Sequence, residues 1–340
     1  MTDDETDAAL PAGTRAWVLG SGKIGHEVNC LGVAGELGLN PEIREVRPRL
    51  LFQGLAPYGP VDPRDRLGRA GGALAAPLPD LVFASGRTTV PYLRHIRRAG
   101  RGRIFTVFLQ DPRAGLGVAD LIWVPEHDRL RGDNVMVTLT SPHPLRPGVL
   151  KAARADIDPR LAGLPEPRVA MVLGGHSGSH RFEAADVAAL CLIARDILEA
   201  GQGLMITPSR RTPPELTAAL REAIEASGRA AQAFLWSGAG DNPYTQILAH
   251  ASAIVVTGDS VNMVGEAAST GAPVHIYEPT GGHAKMTGFL DKLVVTGAAR
   301  RLDAARRSGW SRQSWTYAPV DATQSIAREV VRRFRLFRQS

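Results

Sequence analysis

The chain has 340 residues, 44% of them hydrophobic, and this length is typical of two domains. No apolar run approaches the roughly 20 residues that a membrane-spanning helix needs, and the acidic start of the chain has the features of neither a signal peptide nor a transit peptide. Two cysteines are too few for a disulfide framework, so we expect buried free thiols at Cys30 and Cys191. These features predict a cytoplasmic protein.

Positive charge is concentrated at the end of the chain. The formal net charge is +6, while residues 300–340 contain ten arginines and three acidic residues, so the rest of the chain is nearly neutral. This distribution argues against a nucleic-acid partner. The apolar residues Ile326, Val330, Phe334 and Phe337 have helical spacing. They predict a basic amphipathic helix that lies on an anionic membrane, peripheral to its inner face, or packs on the first domain. Both roles are compatible if the apolar stripe is buried and the arginines face lipid.

Short apolar runs alternate with longer helical patterns, which predicts βαβ units and parallel sheets. In the first half the predicted strands are Ala16–Gly20, Leu81–Ser85, Ile104–Phe108, Leu121–Val124 and Val135–Thr138, with helices over 26–38 and 88–99. Residues 47–79 are rich in proline, glycine and arginine and are predicted to be irregular. In the second half the predicted strands are Val169–Leu173, Leu204–Thr207, Ala233–Trp236, Ile254–Thr257 and Val274–Tyr277, with helices over 183–199, 213–226, 244–250, 260–270 and 322–337.

The two series of strands predict two α/β domains. Three prolines within residues 156–167 break both helix and strand and place the linker there. The predicted organisation is a disordered lead-in over 1–14, a first domain over 15–155, a second over 168–320 and the basic helix over 321–340. Because parallel sheets carry their ligand loops at the carboxyl ends of the strands, we expect the domains to face a central cleft.

The most informative segment follows the strand that ends at Thr257. A helix is predicted to begin at Asp259 or Ser260, both good N-caps, and its free N–H groups suit a diphosphate. The candidate diphosphate contacts are Ser260, Val261 and Asn262. Glu266 lies four residues after Asn262 on the same helix face, where a carboxylate can accept hydrogen bonds from both hydroxyls of a ribose. The alternative is an ordinary βαβ unit whose glutamate is solvated.

Five sequence stretches together carry a resemblance to a known family. They are TGDSVNMVGEAASTGAPVHIYEP, GSGKIGHEVNCLGVAGELG, PDLVFASGRTTVPYLRHIRR, FLQDPRAGLGVADLIWVPEHD and VLGGHSGSHRF. The chain resembles the elongated-mitochondria, or mitochondrial fission, family and its bacterial homologues over about residues 15–300. That family is itself similar to glycosyltransferase-B enzymes. The resemblance therefore implies two Rossmann-like domains, the first on the acceptor side and the second on the nucleotide-sugar side.

A glycine-rich loop follows the first strand of the second domain, and in the glycosyltransferase-B pattern this loop faces the nucleotide diphosphate. Gly174 and Gly175 would let the backbone approach a ligand closely. The hydroxyl of Ser177 and the guanidinium of Arg181 are suited to phosphate. A tight turn between strand and helix is the alternative.

A second glycine-rich loop, at residues 20–27, follows the first strand of the chain and would border the acceptor and the transferred sugar. Gly22 and Lys23 are candidate substrate contacts, and His26 is a candidate general base because histidine has an unperturbed pKa of about 6.5. His26 at the first turn of a helix would otherwise be a surface or capping residue. Glu42 and Glu45 flank or lie within the next strand and do not stand at its end, so we expect no nicotinamide cofactor.

Further polar loops follow other predicted strands. Asp111 is a second candidate base and Arg113 a candidate anion contact, unless the two merely close their own loop. In the second domain Ser209, Arg210 and Arg211 could reach phosphates or be solvated. The loop over 236–244 is expected to hold the nucleotide base through backbone contacts.

The expected function is transfer of a sugar from a nucleotide sugar to an unknown acceptor. The single Asp-x-Asp, Asp156–Asp158, lies in the predicted linker and not at a strand end, so neither a metal nor another cofactor is expected. Two alternatives stay open: a nucleotide-sugar epimerase or hydrolase, and a non-catalytic adaptor that recruits a partner at membranes.

Overall fold

A computed structural model describes residues 9–22, 24–302 and 309–339, without the side chains of residues 24–26. Most of the predicted lead-in (residues 1–8), Lys23 and the side chain of His26 therefore lie outside the described part of the protein. Within that part, no helix combines the length and the apolar character required to cross a membrane.

The chain forms two compact units. The first comprises Met1–Arg146 together with Ala322–Ser340, and the second comprises Pro147–Asp321. Each unit contains one parallel six-stranded sheet with helices, which confirms the predicted α/β class and its two parallel sheets.

The first sheet has the order β2-β1-β3-β4-β5-β6. Its strands are β1 (Ala16–Gly20), β2 (Glu42–Glu45), β3 (Leu81–Ala84), β4 (Phe105–Leu109), β5 (Leu121–Pro125) and β6 (Val135–Thr138). Helices α1 (Ile24–Glu36), α2 (Leu50–Leu55) and α3 (Val90–Ala99) connect them. The inner strands β3, β4 and β5 are buried along their whole length, as expected for a parallel sheet covered on both faces.

The second sheet has the order β12-β11-β10-β7-β8-β9. Its strands are β7 (Arg168–Leu173), β8 (Gly203–Pro208), β9 (Ala233–Leu235), β10 (Ala253–Thr257), β11 (Val274–Tyr277) and β12 (Ala299–Arg301). Its helices are α4 (Pro147–Ala155), α5 (Pro159–Ala162), α6 (Ala184–Glu199), α7 (Pro214–Ala226), α8 (Tyr244–Ala249), α9 (Val261–Ser269) and α10 (Ala284–Val295). The order changes direction between β7 and β10, where Val172 lies beside Val256.

Three parts of the structure differ from the sequence-based expectations. The predicted linker over 156–167 lies inside the second unit, because α4 before it already packs on α8 and Arg154 donates a hydrogen bond of 3.0 Å to the Ala249 carbonyl. The region over 47–79, predicted to be irregular, contains the short helix α2. The sequence patterns also give no prediction of the helices α4, α5 and α10 or of the strand β12.

The last helix, α11 (Ala322–Gln339), packs on the first unit. Ile326, Val330 and Phe334 are at most 2% exposed and join the core formed by α1 and the first sheet. The Phe334 ring meets the Phe105 ring edge to face, with centroids 5.9 Å apart. Of the two roles predicted for this helix, its apolar stripe fulfils the packing role. Contact of the arginines of this helix with an anionic membrane stays a prediction.

Candidate functional site

The second sheet places two loops side by side at its change of direction. If β7 is counted as the first strand of this unit, the strands lie in the order 3-2-1-4-5-6 from β9 at one edge of the sheet to β12 at the other. In such sheets the loops after the two central strands leave toward opposite faces, and ligands bind outside the carboxyl ends of these strands. Here the two loops begin after Leu173 at the end of β7 and after Thr257 at the end of β10.

A buried carboxylate joins these two loops. Asp259 is 7% exposed and accepts hydrogen bonds from the Gly175 N–H at 3.0 Å and from the Thr257 hydroxyl at 2.7 Å. The Arg211 guanidinium forms an ion pair with it at 3.4 Å and also donates to the His176 carbonyl at 3.0 Å. Asp259 and Arg211 therefore fix the backbone that surrounds the site.

Gly174 and Gly175 are required by this packing. A Cβ atom on Gly174 would lie 2.1 Å from an Asp259 oxygen, and one on Gly175 would lie 1.9 Å from the Arg211 carbonyl oxygen. Their N–H groups are also occupied, since Gly174 donates to the Thr257 hydroxyl at 2.7 Å and Gly175 to Asp259. The glycines thus permit contact between protein segments, whereas the sequence interpretation expected them to admit a ligand.

The rest of this loop is largely bonded to itself. The Ser177 hydroxyl accepts hydrogen bonds from the N–H groups of Ser179 and His180, at 3.3 and 3.0 Å. The Arg181 guanidinium donates to the carbonyl oxygens of Ser177 and His180. Both predicted phosphate contacts therefore stabilise the turn in the structure. Their direct contact with a ligand stays a prediction.

A pocket of about 350 Å³ opens beside the same edge of the second sheet. It is bounded by the ends of β7 and β8, the residues after β9, and one face of α9. Its lining residues are Val172, Thr207, Pro208, Ser209, Arg210, Trp236, Asn242, Tyr244, Met263 and Glu266. The structure thus brings together three of the predicted contacts, Ser209, Arg210 and Glu266.

Glu266 is the acidic group of this pocket. Its carboxylate accepts a hydrogen bond from the Tyr244 hydroxyl. Burial raises the pKa of Glu266 to about 7, an effect that the hydrogen bond from Tyr244 opposes. Burial and the nearby Glu266 carboxylate raise the pKa of Tyr244, which stays protonated. Glu266 is therefore held in one orientation and can change its charge near neutral pH.

Arg210 supplies positive charge at the rim of the pocket. Its side chain is exposed, and within the described part of the chain its guanidinium has no hydrogen-bond or ion-pair partner. Ser209 has a structural task instead, because its hydroxyl accepts a hydrogen bond of 3.2 Å from the Arg211 N–H and lies 3.1 Å from the Thr212 hydroxyl. Arg210 is thus the freer of these two predicted phosphate contacts.

The N-terminus of α9 adjoins the pocket through its own helix. Ser260 is the N-cap residue, and its side chain forms no capping hydrogen bond. The first N–H groups of a helix have no partner within the helix, so those of Val261 and Asn262 are free to bind an anion. Met263 and Glu266, on the same helix, line the pocket. Ser260, Val261 and Asn262 are not themselves among the lining residues, so their contact with a diphosphate stays a prediction.

The remaining predicted residues with described positions belong to the first unit. The Gly22 N–H donates a hydrogen bond of 3.1 Å to the Glu27 carboxylate, which closes the loop after β1. Asp111 and Arg113 line a pocket of about 880 Å³ together with Arg87. The Asp111 carboxylate accepts a hydrogen bond of 2.8 Å from the Arg113 N–H, so it partly serves its own turn.

Sequence reasoning misses three residues of the second unit's site. The local pattern indicates Asp259 only as a helix cap, and it assigns neither Tyr244 nor Trp236 individually to the site. Tyr244 is paired with a residue 22 positions away, a separation that no local spacing rule detects. The available signal is position alone, since Trp236 begins the loop after β9 and Tyr244 begins the helix α8 that follows this loop.

A family model described as Mitochondrial fission ELM1 matches residues 24–334. The mitochondrial fission protein ELM1 of Arabidopsis thaliana is 27% identical over 277 residues, which cover 75% of this chain and 64% of that protein. An uncharacterized protein of Rickettsia prowazekii is 28% identical over 165 residues, which cover 46% of this chain and 44% of that protein. The chain thus spans less than two thirds of each relative's length.

A solved structure from Listeria monocytogenes, assigned as a UDP-N-acetylglucosamine 2-epimerase, has a TM-score of 0.55 at 10% identity and covers 94% of this chain and 95% of that one. At this identity the likeness shows a shared fold alone. It agrees with the predicted glycosyltransferase-B type, to which glycosyltransferases and such epimerases both belong. The family model extends over most of the chain and confirms the resemblance drawn from the motifs, so the chain belongs to the Mitochondrial fission ELM1 family.

Proposed function

We propose that the second unit binds a nucleoside diphosphate sugar in the pocket that contains Glu266, and that the protein transfers the sugar to an acceptor. The observation that carries the proposal is the Glu266 carboxylate, oriented by Tyr244 beside the change of direction of the sheet. Ligands of parallel α/β sheets bind at this edge, and the pocket offers groups for each part of a nucleotide.

Each part of the ligand has a matching group. The two hydroxyls of a ribose donate hydrogen bonds to Glu266, as the ionised carboxylate can accept several. The indole of Trp236 offers an aromatic face for a base, and its ring N–H is already bonded to the Ala239 carbonyl at 3.1 Å. The diphosphate binds at the start of α9, where free N–H groups and the helix dipole favour negative charge, with Arg210 as the nearby cation.

The transfer itself is a displacement at the anomeric carbon of the sugar. A bond forms from the acceptor oxygen to that carbon, the bond from the carbon to the diphosphate oxygen breaks, and a base takes the acceptor proton. His26 and Asp111 stay the predicted bases. The helix N-terminus and Arg210 stabilise the negative charge that develops on the leaving diphosphate without a required metal ion.

A thermal-shift panel of nucleoside diphosphates and their sugars tests the binding step. A ligand at about 100 times its Kd stabilises the folded state by about 2.7 kcal/mol, which corresponds to a rise in Tm of roughly 5–10 °C for a unit of this size. We expect at least one base to give such a rise. A panel in which no nucleotide changes the Tm would contradict the proposal.

Two alternatives differ from transfer in what happens to the bound ligand. The fold shared with an assigned epimerase favours turnover without an acceptor, and the family description favours an adaptor in fission. Incubation with the nucleotide sugar identified by the panel separates these cases. Release of nucleoside diphosphate that depends on an added acceptor indicates transfer. Isomerisation or hydrolysis of the nucleotide sugar without an acceptor indicates an epimerase or hydrolase. A nucleotide sugar that binds and stays unchanged indicates the adaptor.

A further inference from the structure

The first unit exposes a concentrated group of apolar side chains. Leu50, Leu51, Leu55 and Tyr58 are 85%, 69%, 47% and 70% exposed. Half of the eight large apolar side chains that the structure describes as exposed thus fall within nine residues. The helix α2 in this stretch has no buried residue. Scattered apolar residues are normal on a surface, but a contiguous group marks an interaction site.

A basic pocket borders this apolar group. Its volume is about 570 Å³, and its lining residues are Pro60, Val61, Pro63, Arg66, Pro91, Arg94, His95 and Arg98. No carboxylate is among these lining residues, all of which are described. The nearby Asp62 is fully buried and accepts hydrogen bonds from Arg49 and Arg64 instead. The side chains that line the pocket therefore carry a net positive charge, and the carboxylates adjacent to them in sequence, Asp62 and Asp65, are buried.

The charge of this pocket comes from groups with spare hydrogen-bonding capacity. Arg66 and Arg98 are exposed and form no side-chain hydrogen bond within the described residues. Burial lowers the pKa of Arg94, and the neighbouring Arg98 adds to this effect. Three guanidinium groups around one pocket are suited to the oxygens of a phosphate, which they can contact in pairs.

The apolar group and the basic pocket form one surface. Arg94 lines the pocket and donates hydrogen bonds of 2.7 and 2.6 Å to the carbonyl oxygens of Tyr58 and Gly59. On the other side of the same segment, Leu55 and Tyr58 line the pocket that holds Arg87 and Arg113. Guanidinium groups therefore lie on both sides of the segment that carries Leu55 and Tyr58.

We propose that residues 50–58, together with the pocket of Arg66, Arg94 and Arg98, form a docking surface for a bilayer that contains anionic phospholipids. The leucines enter the boundary of the acyl chains, and the arginines bind a lipid phosphate. Apolar side chains beside a cationic pocket match a molecule that carries hydrocarbon and phosphate together. A soluble phosphate ester would satisfy the pocket but would leave the leucines exposed to water.

Co-sedimentation with vesicles tests this surface, using phosphatidylcholine alone and phosphatidylcholine mixed with phosphatidylglycerol. We expect the intact chain to bind the mixed vesicles at low salt and to bind them less at high salt. Leu50→Ser with Leu51→Ser should weaken binding by about tenfold or more, as two exposed leucines no longer leave water. Arg66→Gln with Arg98→Gln should weaken it by about fivefold for each charge removed.

Matched variants elsewhere control for polarity and charge. Val295 and Leu336 are 86% and 55% exposed, so Val295→Ser with Leu336→Ser makes the same kind of change away from the surface. Arg221→Gln with Arg229→Gln removes two exposed charges from the second unit. Both control pairs should keep binding within about twofold of the intact chain, since surface substitutions far from the contact have small effects. Equal losses in the control pairs and the test pairs would overturn the proposal.

Two further measurements distinguish other occupants. Leu51→Trp should give a blue shift of its indole emission when mixed vesicles are added, because the side chain leaves water. Vesicle binding without that shift would overturn insertion. Calorimetry with glycerol 3-phosphate tests whether the pocket binds a soluble phosphate ester. The bilayer would be overturned as the occupant by two results together: the intact chain binds glycerol 3-phosphate but no vesicles, and the variant with Arg66→Gln and Arg98→Gln loses the binding of glycerol 3-phosphate. Unchanged thermal unfolding shows that each variant is folded.

Discussion

The Tyr244 hydroxyl donates a hydrogen bond to the Glu266 carboxylate, and both side chains line one pocket of the second unit. The hydrogen bond fixes the orientation of the carboxylate before any ligand arrives. Burial at the same time raises the pKa of Glu266 to about 7. Hydroxyl groups of a ligand that donate hydrogen bonds to Glu266 would stabilise the charged form of this carboxylate, which burial disfavours.

Glu266→Ala should weaken binding of a nucleoside diphosphate by about 1–3 kcal/mol, the usual scale for hydrogen bonds to a charged group. Calorimetry on both proteins measures this difference. Glu225→Ala is the matched control, because Glu225 is an exposed glutamate of α7 outside the pocket. Equal affinity of the Glu266 variant and the intact chain, with normal melting, would show that Glu266 is an ordinary helix residue.

Glu266 should also make the stability of the protein depend on pH. An ordinary glutamate has a pKa near 4.5, and the folded protein raises that of Glu266 to about 7, so between these values the folded state binds more protons than the unfolded state. The free energy of unfolding contributed by this group therefore falls as pH rises from about 4.5 through about 7, by about 1–2 kcal/mol after allowance for its partial exposure.

The difference between the intact chain and Glu266→Gln isolates this effect from all other titrating groups. Urea unfolding at a series of pH values should show the intact chain losing stability relative to the variant as pH increases through that window. A difference that stays constant with pH, or one that changes in the opposite direction, would contradict the raised pKa.

Gly174→Ala should destabilise the second unit by about 1–3 kcal/mol, because the new Cβ would lie 2.1 Å from an Asp259 oxygen that is itself held by Gly175 and Arg211. A Cβ atom added at Gly178, in the same loop, would have no neighbour within 4 Å, so Gly178→Ala should change stability by less than about 0.5 kcal/mol. Urea unfolding of both variants compares them. Equal losses of stability in the two variants would show that the packing of Gly174 against Asp259 does not require a glycine.

Phe334→Ala should destabilise the first unit by about 3–5 kcal/mol, since Phe334 is 2% exposed and packs against Phe105. Leu336→Ala, at a residue of the same helix that is 55% exposed, should cost less than about 0.5 kcal/mol. Thermal unfolding of the two variants measures the difference. A stable Phe334 variant would show that α11 is not part of the core of the first unit.

Much of the fold follows from local sequence patterns. All ten predicted strands are present, because most of them are buried apolar runs of the kind that the middle of a parallel sheet requires. The edge strand β12 has the sequence ARR, and its two arginines are exposed. An edge strand pairs on one side only and needs no continuous apolar run. β12 therefore gives no apolar pattern, unlike the edge strands β6 and β9, whose residues are mostly apolar.

The candidate site was less predictable than the fold. Ser209, Arg210 and Glu266, which the sequence patterns indicate, line one pocket, whereas Asn262 is not among its lining residues. The roles of Gly174 and Gly175 depend on Asp259 and Arg211, which pair across 48 residues. Such pairings arise from the sheet order, and sheet order is a tertiary property that local spacing does not encode.

A nucleoside diphosphate should bind in the Glu266 pocket without a divalent metal ion. The decisive experiment is calorimetry in the presence of a chelator, with the intact chain and Glu266→Ala. We expect at least one nucleoside diphosphate to bind the intact chain in the chelator, and the Glu266 variant to bind it more weakly by about 1–3 kcal/mol. Binding that appears only after magnesium or manganese is added, or binding that the substitution leaves unchanged, would contradict the proposed nucleotide site.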